Sequence, residues 1–225
     1  FTSLAPNTEF DDALLAFSLL LRPWTWREHR SARNLEVFLE RIIGPQYAIS
    51  FESGRTALFT VLSAHGLSMG DEVVLQAYTC VVVPNAIRWA GGTPVFVDID
   101  ETLTMSPQDL EKKITPKTKA IIIQHTFGMP ARLNELLAIA KAHRLFVIED
   151  CAHTLGTTYN GKPLGSFGNA AIFSFGRDKV ISGVFGGAVL VNDELLAERL
   201  RTIQQALPLA RYGWLIKQLL HSILM

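Results

Sequence analysis

Short apolar runs alternate with amphipathic segments along most of the chain from Tyr47 onward. The runs have the length of buried strands, and the segments between them repeat their apolar residues at helical spacing. The pattern predicts strands at 46–51, 72–76, 94–99, 119–124 and 145–148, and helices at 56–66, 82–90, 106–114 and 131–143. This alternation indicates a three-layer α/β/α fold in which helices cover both faces of a mostly parallel sheet.

The pattern changes after residue 150. Four glycines lie between 156 and 168, Asn160-Gly161 predicts a turn, and two further strands are expected at 170–175 and 187–191. The remainder, 193–225, is predicted to be helical with a break near Pro208. Its last stretch has an apolar stripe formed by Tyr212, Leu215, Ile216, Leu219, Leu220 and Ile223. We expect this helix to pack on another domain or subunit. A membrane-surface helix is a weaker alternative, since only Arg211 and Lys217 supply charge.

Composition bounds the number of domains and the possible partners. A chain of 225 residues that is 48% hydrophobic can bury one substantial α/β core. We expect an N-terminal helical segment at 1–44, a large domain at 45–200 and a final helical segment at 201–225. The 21 basic residues balance 21 acidic ones, so nothing in the charge favours nucleic acid as a partner.

Two further features concern the compartment. Cys80 and Cys151 are too few for a disulfide framework, and both are interpreted as small buried side chains next to strand ends. The apolar run 13–21 follows Asp11 and Asp12, whereas a signal peptide has a basic flank there, and nine residues cannot span a bilayer. We therefore expect a packing helix in a cytoplasmic protein.

A possible phosphate cradle lies where the first predicted strand meets its helix. Gly54 permits close backbone approach, the first-turn amides have no partner within the helix, and Thr56 and Arg55 add a hydroxyl and a charge. The alternative is an ordinary helix start capped by Ser53. The segment contains neither a Walker-type lysine nor a G-x-G-x-x-G sequence, which makes a nucleotide site less favoured.

Asp150 and Lys179 complete a possible site for pyridoxal phosphate (PLP). This cofactor requires an amine that bonds to it, an acid beside its ring nitrogen and a phosphate cradle. Asp150 ends an apolar strand, where a carboxylate needs a partner such as a pyridinium; the alternative is a carboxylate that caps a turn. Glu149 is interpreted as structural. Lys179 follows a predicted strand and precedes glycines at 183, 186 and 187, which favour close packing over the alternative of a surface lysine.

Several motifs, in this order and spacing, resemble the DegT/StrS family of PLP-dependent sugar aminotransferases, which have fold type I. The resemblance extends from about Tyr47 to Asp193. It is carried by S-G-R-T-A-L (53–58), A-Y-T-C (77–80), G-G-T-P-V-F-V-D-I-D (91–100), T-P-K-T-K-A-I (115–121), E-D-C-A-H (149–153), G-K-P-L-G-S-F-G (161–168) and F-S-F…K…G-G (173–187). It implies that 45–200 is the large PLP-binding domain and that 201–225 leads to a small domain absent from this chain.

The resemblance also implies a role for each site residue. Lys179 corresponds to the Schiff-base lysine and Asp150 to the partner of the pyridine nitrogen. His153 takes the position of a residue, often Gln, near the phenolic oxygen of the cofactor. The phosphate would be bound by the Ser174 hydroxyl together with Gly54 and the amides of Arg55 and Thr56. Cys80 takes the position of the residue that stacks on the cofactor ring.

The sequence departs from the family pattern in three places. Arg55 stands where threonine is common, and Cys80 stands where an aromatic is frequent, so that sulfur or Tyr78 would contact the ring. The usual G-E-G-G is Val184-Phe185-Gly186-Gly187 here, which removes an acid near the substrate entrance.

The implied activity is transamination in amino-sugar or surface-polysaccharide biosynthesis. An amino donor, commonly glutamate, would supply the amino group, and a keto-sugar, typically nucleotide-linked, would receive it, in a homodimer with sites at the subunit interface. Family members that dehydrate sugars have histidine in place of the lysine, so Lys179 favours transamination. Two alternatives stay open: a truncated or degenerate homologue that binds PLP or a partner without turnover, and a PLP-dependent sugar dehydratase or lyase.

Overall fold

A computed structural model describes residues 9–224 and contains eight α-helices and nine strands within them. The strands are β1 Tyr47–Phe51, β2 Glu72–Gln76, β3 Thr93–Val97, β4 Thr118–Gln124, β5 Phe146–Asp150, β6 Thr158–Tyr159, β7 Lys162–Pro163, β8 Ala170–Ser174 and β9 Gly187–Val191. The helices are α1 Phe10–Leu20, α2 Arg30–Ile43, α3 Gly54–His65, α4 Val82–Trp89, α5 Pro107–Lys113, α6 Leu133–Ala142, α7 Glu194–Ala206 and α8 Tyr212–Leu224.

Seven strands form one sheet in the order β1-β9-β8-β5-β4-β2-β3. Strands β3, β2, β4, β5 and β8 are parallel, and β9 runs antiparallel to both of its neighbours, β8 and β1. The prediction of a mostly parallel sheet is therefore confirmed. Because β1 runs in the same direction as β8, the carboxyl ends of β1, β8, β5, β4 and β2 lie along one edge of the sheet.

Helices cover both faces of this sheet, as predicted. Successive residues of β4 alternate between two buried clusters: Ile121 and Ile123 belong to one, and Ala120 and Ile122 to the other. The first cluster includes residues of α2, α5 and α6, and the second includes residues of α3, α4 and α7. Strands buried on both faces explain why the predicted runs are continuously apolar.

Most predicted element ends are confirmed to within two residues, and local hydrogen bonds explain several of the actual ends. Helix α3 begins at Gly54, two residues earlier than predicted, because the Ser53 hydroxyl accepts a hydrogen bond from the Thr56 amide at 3.2 Å. The Ser106 hydroxyl caps α5 in the same way. The Asn160-Gly161 turn joins β6 to β7, and both residues have the positive φ that a tight hairpin requires.

The C-terminal part is a pair of helices. Helix α7 continues past residue 200, where the sequence suggested a boundary, and the break falls between Ala206 and Tyr212. Helix α8 packs against α1 of the same chain, but Tyr212, Ile216 and Leu220 of its apolar stripe are exposed, so packing on another domain or subunit stays a prediction. At one end of α8 the Tyr212 and Trp26 rings lie 5.7 Å apart. Among residues 9–224, no helix has both the length and the apolar character needed to cross a bilayer.

Candidate active site

The carboxyl edge of the sheet brings the predicted site residues together. Asp150 ends β5 and Ser174 ends the adjacent β8, while Gly54 follows β1 two strands further along. Lys179 lies in the connection from β8 to β9, residues 175–186, which we call the Lys179 loop. His153 follows β5 and contacts Lys179. The edge therefore collects the amine, the acid and the helix start that the sequence suggested.

Gly54 is required by the packing at the start of α3. A Cβ atom added to Gly54 would lie 2.8 Å from the Ser174 Cβ and 3.3 Å from the Phe173 carbonyl oxygen. Gly187 is more constrained still, because its Cβ would lie 2.4 Å from the Gly54 nitrogen. The two glycines let the amino terminus of α3 sit directly against Ser174, where a bound anion would meet both a hydroxyl and unpaired helix amides.

The first turn of α3 confirms the alternative interpretation of Ser53 as a helix cap. Ser53 holds the Thr56 amide, and the Thr56 hydroxyl bonds to Glu52. The Thr56 amide proposed for phosphate therefore has a partner already, and Arg55 is exposed at the same turn. Capping and phosphate binding can coexist here, since a helix start has several unpaired amides.

Lys179 is not a surface lysine. Its side chain is only 16% exposed, whereas that of its neighbour Asp178 is 60% exposed. Its Nζ lies 3.1 Å from Nε2 of His153 and 3.2 Å from Oδ2 of Asp178. The amine is thus held in place by two side chains at the open edge of the sheet.

Asp150 is buried, and its Oδ1 accepts a hydrogen bond from the Ala152 amide at 3.1 Å. Burial raises the pKa of the Asp150 carboxyl above its ordinary value. The Ala152 hydrogen bond and the nearby His153 and Lys179 side chains act in the opposite direction without cancelling the effect of burial. A buried carboxylate in this position is poised to take a cationic partner.

His153 lies between Lys179 and an aromatic ring. Burial, and then the charge of Lys179, lower the pKa of His153 below its ordinary value, against the opposing charges of Asp150 and Asp178. The neutral imidazole is therefore favoured, and its Nε2 can accept a hydrogen bond from the Lys179 ammonium. The Phe127 ring lies nearly parallel to the imidazole, with centroids 6.0 Å apart.

A polar cluster at the ends of β2 and β4 was missed by the sequence analysis. Gln76 and Gln124 both donate to the Thr126 hydroxyl, at 3.0 and 3.1 Å, and the Thr79 hydroxyl donates to Gln124 at 2.5 Å. Within residues 9–224, the buried Oε1 of Gln76 has no hydrogen-bond partner. The available signal was the one used for Asp150, a polar residue at the end of an apolar strand.

The two cysteines differ. Cys151 is buried, as predicted, but Cys80 is exposed, so its interpretation as a buried side chain was wrong. The reason is that Cys80 lies beyond the end of β2, at the open edge where the site forms. The Tyr78 ring, two residues earlier, meets Phe127 edge to face at a centroid distance of 6.2 Å. The structure thus pairs Tyr78, the suggested alternative for contact with the cofactor ring, with Phe127.

Glu149 has the structural role predicted for it. One carboxylate oxygen accepts the amides of Phe167 and Gly168 at 2.7 Å each, and the other accepts the Gly165 amide at 3.0 Å and lies 3.2 Å from His125 Nε2. His125 Nδ1 accepts the Ala131 amide, so Nε2 carries the proton and donates to Glu149. Although His125, Glu149 and Cys151 are close enough to surround a metal ion, both imidazole nitrogens and both carboxylate oxygens are already used.

The layout of this edge is that of the large domain in fold type I PLP-dependent aminotransferases. The comparisons identify the family: the chain belongs to the DegT/DnrJ/EryC1/StrS aminotransferase family, which matches residues 11–208. PLP is the cofactor of this family, and solved neighbours include forms with PLP or pyridoxamine phosphate.

Curated relatives act on nucleotide-linked sugars according to their names. The chain is 44% identical to GDP-perosamine synthase of Escherichia coli O157:H7 over 171 residues. This alignment covers 75% of the chain and 47% of the relative. It is 35% identical to UDP-N-acetyl-3-dehydro-alpha-D-glucosamine 3-aminotransferase of Acidithiobacillus ferrooxidans over 196 residues. This alignment covers 86% of the chain and 53% of the relative. The chain thus spans about half the length of the curated relatives it matches.

Solved structures give the same fold. An aminotransferase from Psychrobacter cryohalolentis superposes with a TM-score of 0.80 at 33% identity, covering 89% of this chain and 52% of the other. NtdA from Bacillus subtilis, with bound pyridoxamine phosphate, superposes with a TM-score of 0.79 at 30% identity, covering 88% and 45%. These likenesses fix the class of the large domain.

Proposed function

We propose that the chain forms the cofactor-binding part of a PLP-dependent aminotransferase. The amino group would pass from an amino-acid donor, such as glutamate, to a nucleotide-linked keto-sugar in amino-sugar or surface-polysaccharide biosynthesis. The observation that carries the proposal is the position of Lys179, whose Nζ lies 3.1 Å from His153 beside the buried Asp150. The names of the relatives support the class of substrate.

The residues at the edge of the sheet fit PLP. A protonated ring nitrogen beside Asp150 would stabilise its carboxylate and offset the burial that raises its pKa. A phosphate group would meet the start of α3 and the Ser174 hydroxyl, at the contact that leaves no room for a Cβ on Gly54. The amine, the acid and the phosphate cradle come from a loop, strand ends and a helix start at one edge, where open α/β sheets bind their ligands.

Bound PLP supplies an electron sink that allows an amino group to be exchanged between two carbon atoms. The residues of this chain would hold the cofactor and move protons. Asp150 would keep the ring nitrogen protonated, and Ser174 and Gly54 would hold the phosphate. The Nζ of Lys179 would bond to the cofactor and, once the amino group of the substrate had displaced it, would take a proton from the substrate carbon and return it at a different atom. His153 would orient that amine.

A PLP-binding homologue without turnover is the second candidate. The observation in its favour is Phe185, which stands where the family commonly has glutamate and packs against Trp214 with ring centroids 4.8 Å apart. An apolar contact thus replaces an acid near the substrate entrance. A PLP-dependent sugar dehydratase or lyase is less favoured, because Lys179 stands where dehydrating members have histidine.

Titration with glutamate separates these candidates. The purified protein is saturated with PLP, and its visible absorption is followed while glutamate is added. A shift to the pyridoxamine form, with release of 2-oxoglutarate, supports transamination. Bound PLP with no shift for glutamate or other amino donors favours the homologue without turnover, and analysis of sugar products identifies a dehydratase or lyase. Failure to bind PLP at all would contradict the proposal.

We also propose that the protein functions as a homodimer. The resemblance to the family supports sites at a subunit interface, and α1 leaves large apolar side chains such as Phe10, Leu14 and Phe17 exposed. Light scattering coupled to size exclusion tests this. A dimer mass is expected for the protein with PLP, and a monomer mass at micromolar concentration would contradict it.

A further inference from the structure

Helix α8 contacts both arms of the Lys179 loop. On the first arm, Nη2 of Arg177 donates to Oε1 of Gln218 at 2.6 Å. On the second, the Phe185 ring meets the Trp214 ring edge to face at 4.8 Å. The Arg177 guanidinium also lies 5.4 Å from the centre of the Phe185 ring, which links the two arms. One helix therefore holds the loop on either side of Lys179.

The Lys179 loop is shaped both by its own short-range hydrogen bonds and by contacts with other parts of the chain. Its base is closed by backbone hydrogen bonds between Phe175 and Gly186 and from Gly183 to Phe175, each 2.9 Å long. The loop contains three glycines, and near its tip Val180 and Ile181 are each about half exposed. Glycine-rich backbone permits many conformations. The Lys179 amide donates to the Gly176 carbonyl at 3.1 Å and the Lys179 amine pairs with Asp178, so contacts made from outside the loop add to those that the loop makes itself.

Gln218 supplies the polar interaction between α8 and the Lys179 loop. It is a buried polar residue on a helix whose other inward-facing residues are largely apolar. A hydrogen bond to a charged guanidinium is stronger than one between neutral groups. Burial, and then the charge of Arg177, lower the pKa of His221, one turn further along α8, which favours a neutral imidazole near the Arg177 guanidinium. The hydrogen bond aligns Gln218 of the helix with Arg177 of the loop.

We propose that α8 is a positioning element for Lys179, acting through Arg177–Gln218 and Phe185–Trp214. Arg177 precedes Lys179 by two residues, so its anchor on α8 limits where the Lys179 amine can lie relative to His153. Helix α8 also packs on α1, which connects the N-terminal segment to the same loop. This inference rests on the proposed function for the role of Lys179, whereas the docking of α8 on the loop stands independently of it.

Three substitutions test the contact. Gln218→Leu keeps the size of the side chain and removes the acceptor, Gln218→Glu keeps an acceptor for Arg177, and Lys217→Ala changes an exposed neighbour on the same helix. In cofactor-free protein, amide hydrogen exchange in peptides covering 175–186 should rise about tenfold for Gln218→Leu. It should stay at the wild-type rate for Gln218→Glu and Lys217→Ala. Unchanged exchange in Gln218→Leu would overturn the proposal.

Binding of PLP provides the second readout. Apparent PLP affinity from absorption titration should fall about tenfold for Gln218→Leu and recover in Gln218→Glu, with thermal unfolding confirming that each variant is folded. If Gln218→Leu fails to fold, Arg177→Met removes the same bond from the loop side and must raise exchange in the same peptides. If the wild-type protein binds no PLP but amide exchange in the variants follows the prediction, the proposed function is contradicted, whereas the contact of α8 with the Lys179 loop is supported. Increased exchange with unchanged PLP affinity would overturn the positioning role.

Discussion

The Nζ of Lys179 lies 3.1 Å from Nε2 of His153, and both side chains stand at the edge where Asp150 ends its strand. Because burial and the Lys179 charge both favour the neutral imidazole, the ring can accept a hydrogen bond from the amine and so define its direction. Asp150 and His153 lie three positions apart and Lys179 lies 26 positions after His153, yet all three share one electrostatic environment, so a change in any of them should affect the others.

Substitution of His153 tests whether this hydrogen bond orients the amine. His153→Gln keeps an acceptor at this position, and we expect transamination to fall by less than about threefold. His153→Ala removes the acceptor and should lower it by about tenfold to a hundredfold. Single-turnover absorption measurements with glutamate provide the check. Equal rates for the two variants would contradict an orienting role.

The same histidine should make the folded protein sensitive to acid. A lowered pKa means that the unfolded chain binds the proton more readily, so stability is lost as the pH falls through the ordinary range of histidine near 6.5. His153→Gln cannot be protonated and should show a smaller loss of stability between pH 7 and pH 5. Urea unfolding of the cofactor-free protein at several pH values measures this. An identical pH dependence in the variant would assign the loss to other groups.

Asp150 should lower the stability of the cofactor-free protein while it strengthens binding of the cofactor. Its raised pKa means that the cofactor-free protein loses stability as the pH rises above the ordinary value of 3.8 and through the folded-state pKa. Asp150→Asn removes this loss and should raise the melting temperature of cofactor-free protein by about 3 °C at neutral pH. The same variant should lose transamination by more than about a hundredfold.

Melting curves with and without PLP provide the measurement for Asp150. The wild type should gain more from PLP than the variant does, because only the carboxylate can pair with the ring nitrogen. If Asp150→Asn is less stable than the wild type without cofactor, the carboxylate has a structural role that this account does not include.

Gly54 and Gly213 form a matched pair of glycines. Gly54→Ala would place a Cβ 2.8 Å from the Ser174 Cβ, and we expect it to cost about 1 to 3 kcal/mol and to weaken PLP binding. In Gly213→Ala, on α8, the new Cβ meets no heavy atom within 4 Å among the described residues, so stability should be unchanged or slightly higher. Urea unfolding compares the two. A neutral Gly54→Ala would mean that the contact with Ser174 can relax.

Glu149 provides a test of the frame around the site. Its carboxylate accepts three backbone amides and the His125 proton, and an amide side chain has only one oxygen with which to accept them. Glu149→Gln should therefore destabilise the fold by about 3 kcal/mol. Glu111→Gln, at an exposed position on α5, is the control and should lie within about 0.5 kcal/mol of the wild type. Equal effects of the two substitutions would contradict the framing role of Glu149.

Much of this arrangement could be predicted from the sequence. Strands buried on both faces leave continuous apolar runs, so β2, β4 and β9 were located to within a residue. Asp150 stood out because a carboxylate that ends such a run needs a partner. Parallel strands place their carboxyl ends together, which is why Asp150 and Ser174 could be expected at one edge before the order of the strands was known.

Other features depend on contacts that periodicity does not encode. The stripe on α8 indicated an apolar face but did not reveal that the helix packs against α1 of the same chain. Cys80 resembled a buried residue because its neighbours are apolar, yet it lies past the end of β2. Gln76 and Gln124 were missed because an amide at a strand end carries a weaker signal than a charge. The bond between Arg177 and Gln218 joins residues 41 positions apart and leaves no local pattern.

Reduction of the PLP complex with borohydride tests the central claim most directly. The reduced protein is digested, and the peptide that carries the cofactor is identified by mass spectrometry, with Lys141→Ala, at an exposed position on α6, as the control. The account predicts a single modified residue, Lys179, labelled equally in the wild type and in Lys141→Ala, and no label in Lys179→Ala. Labelling at another lysine, or equal labelling of Lys179→Ala, would contradict the account.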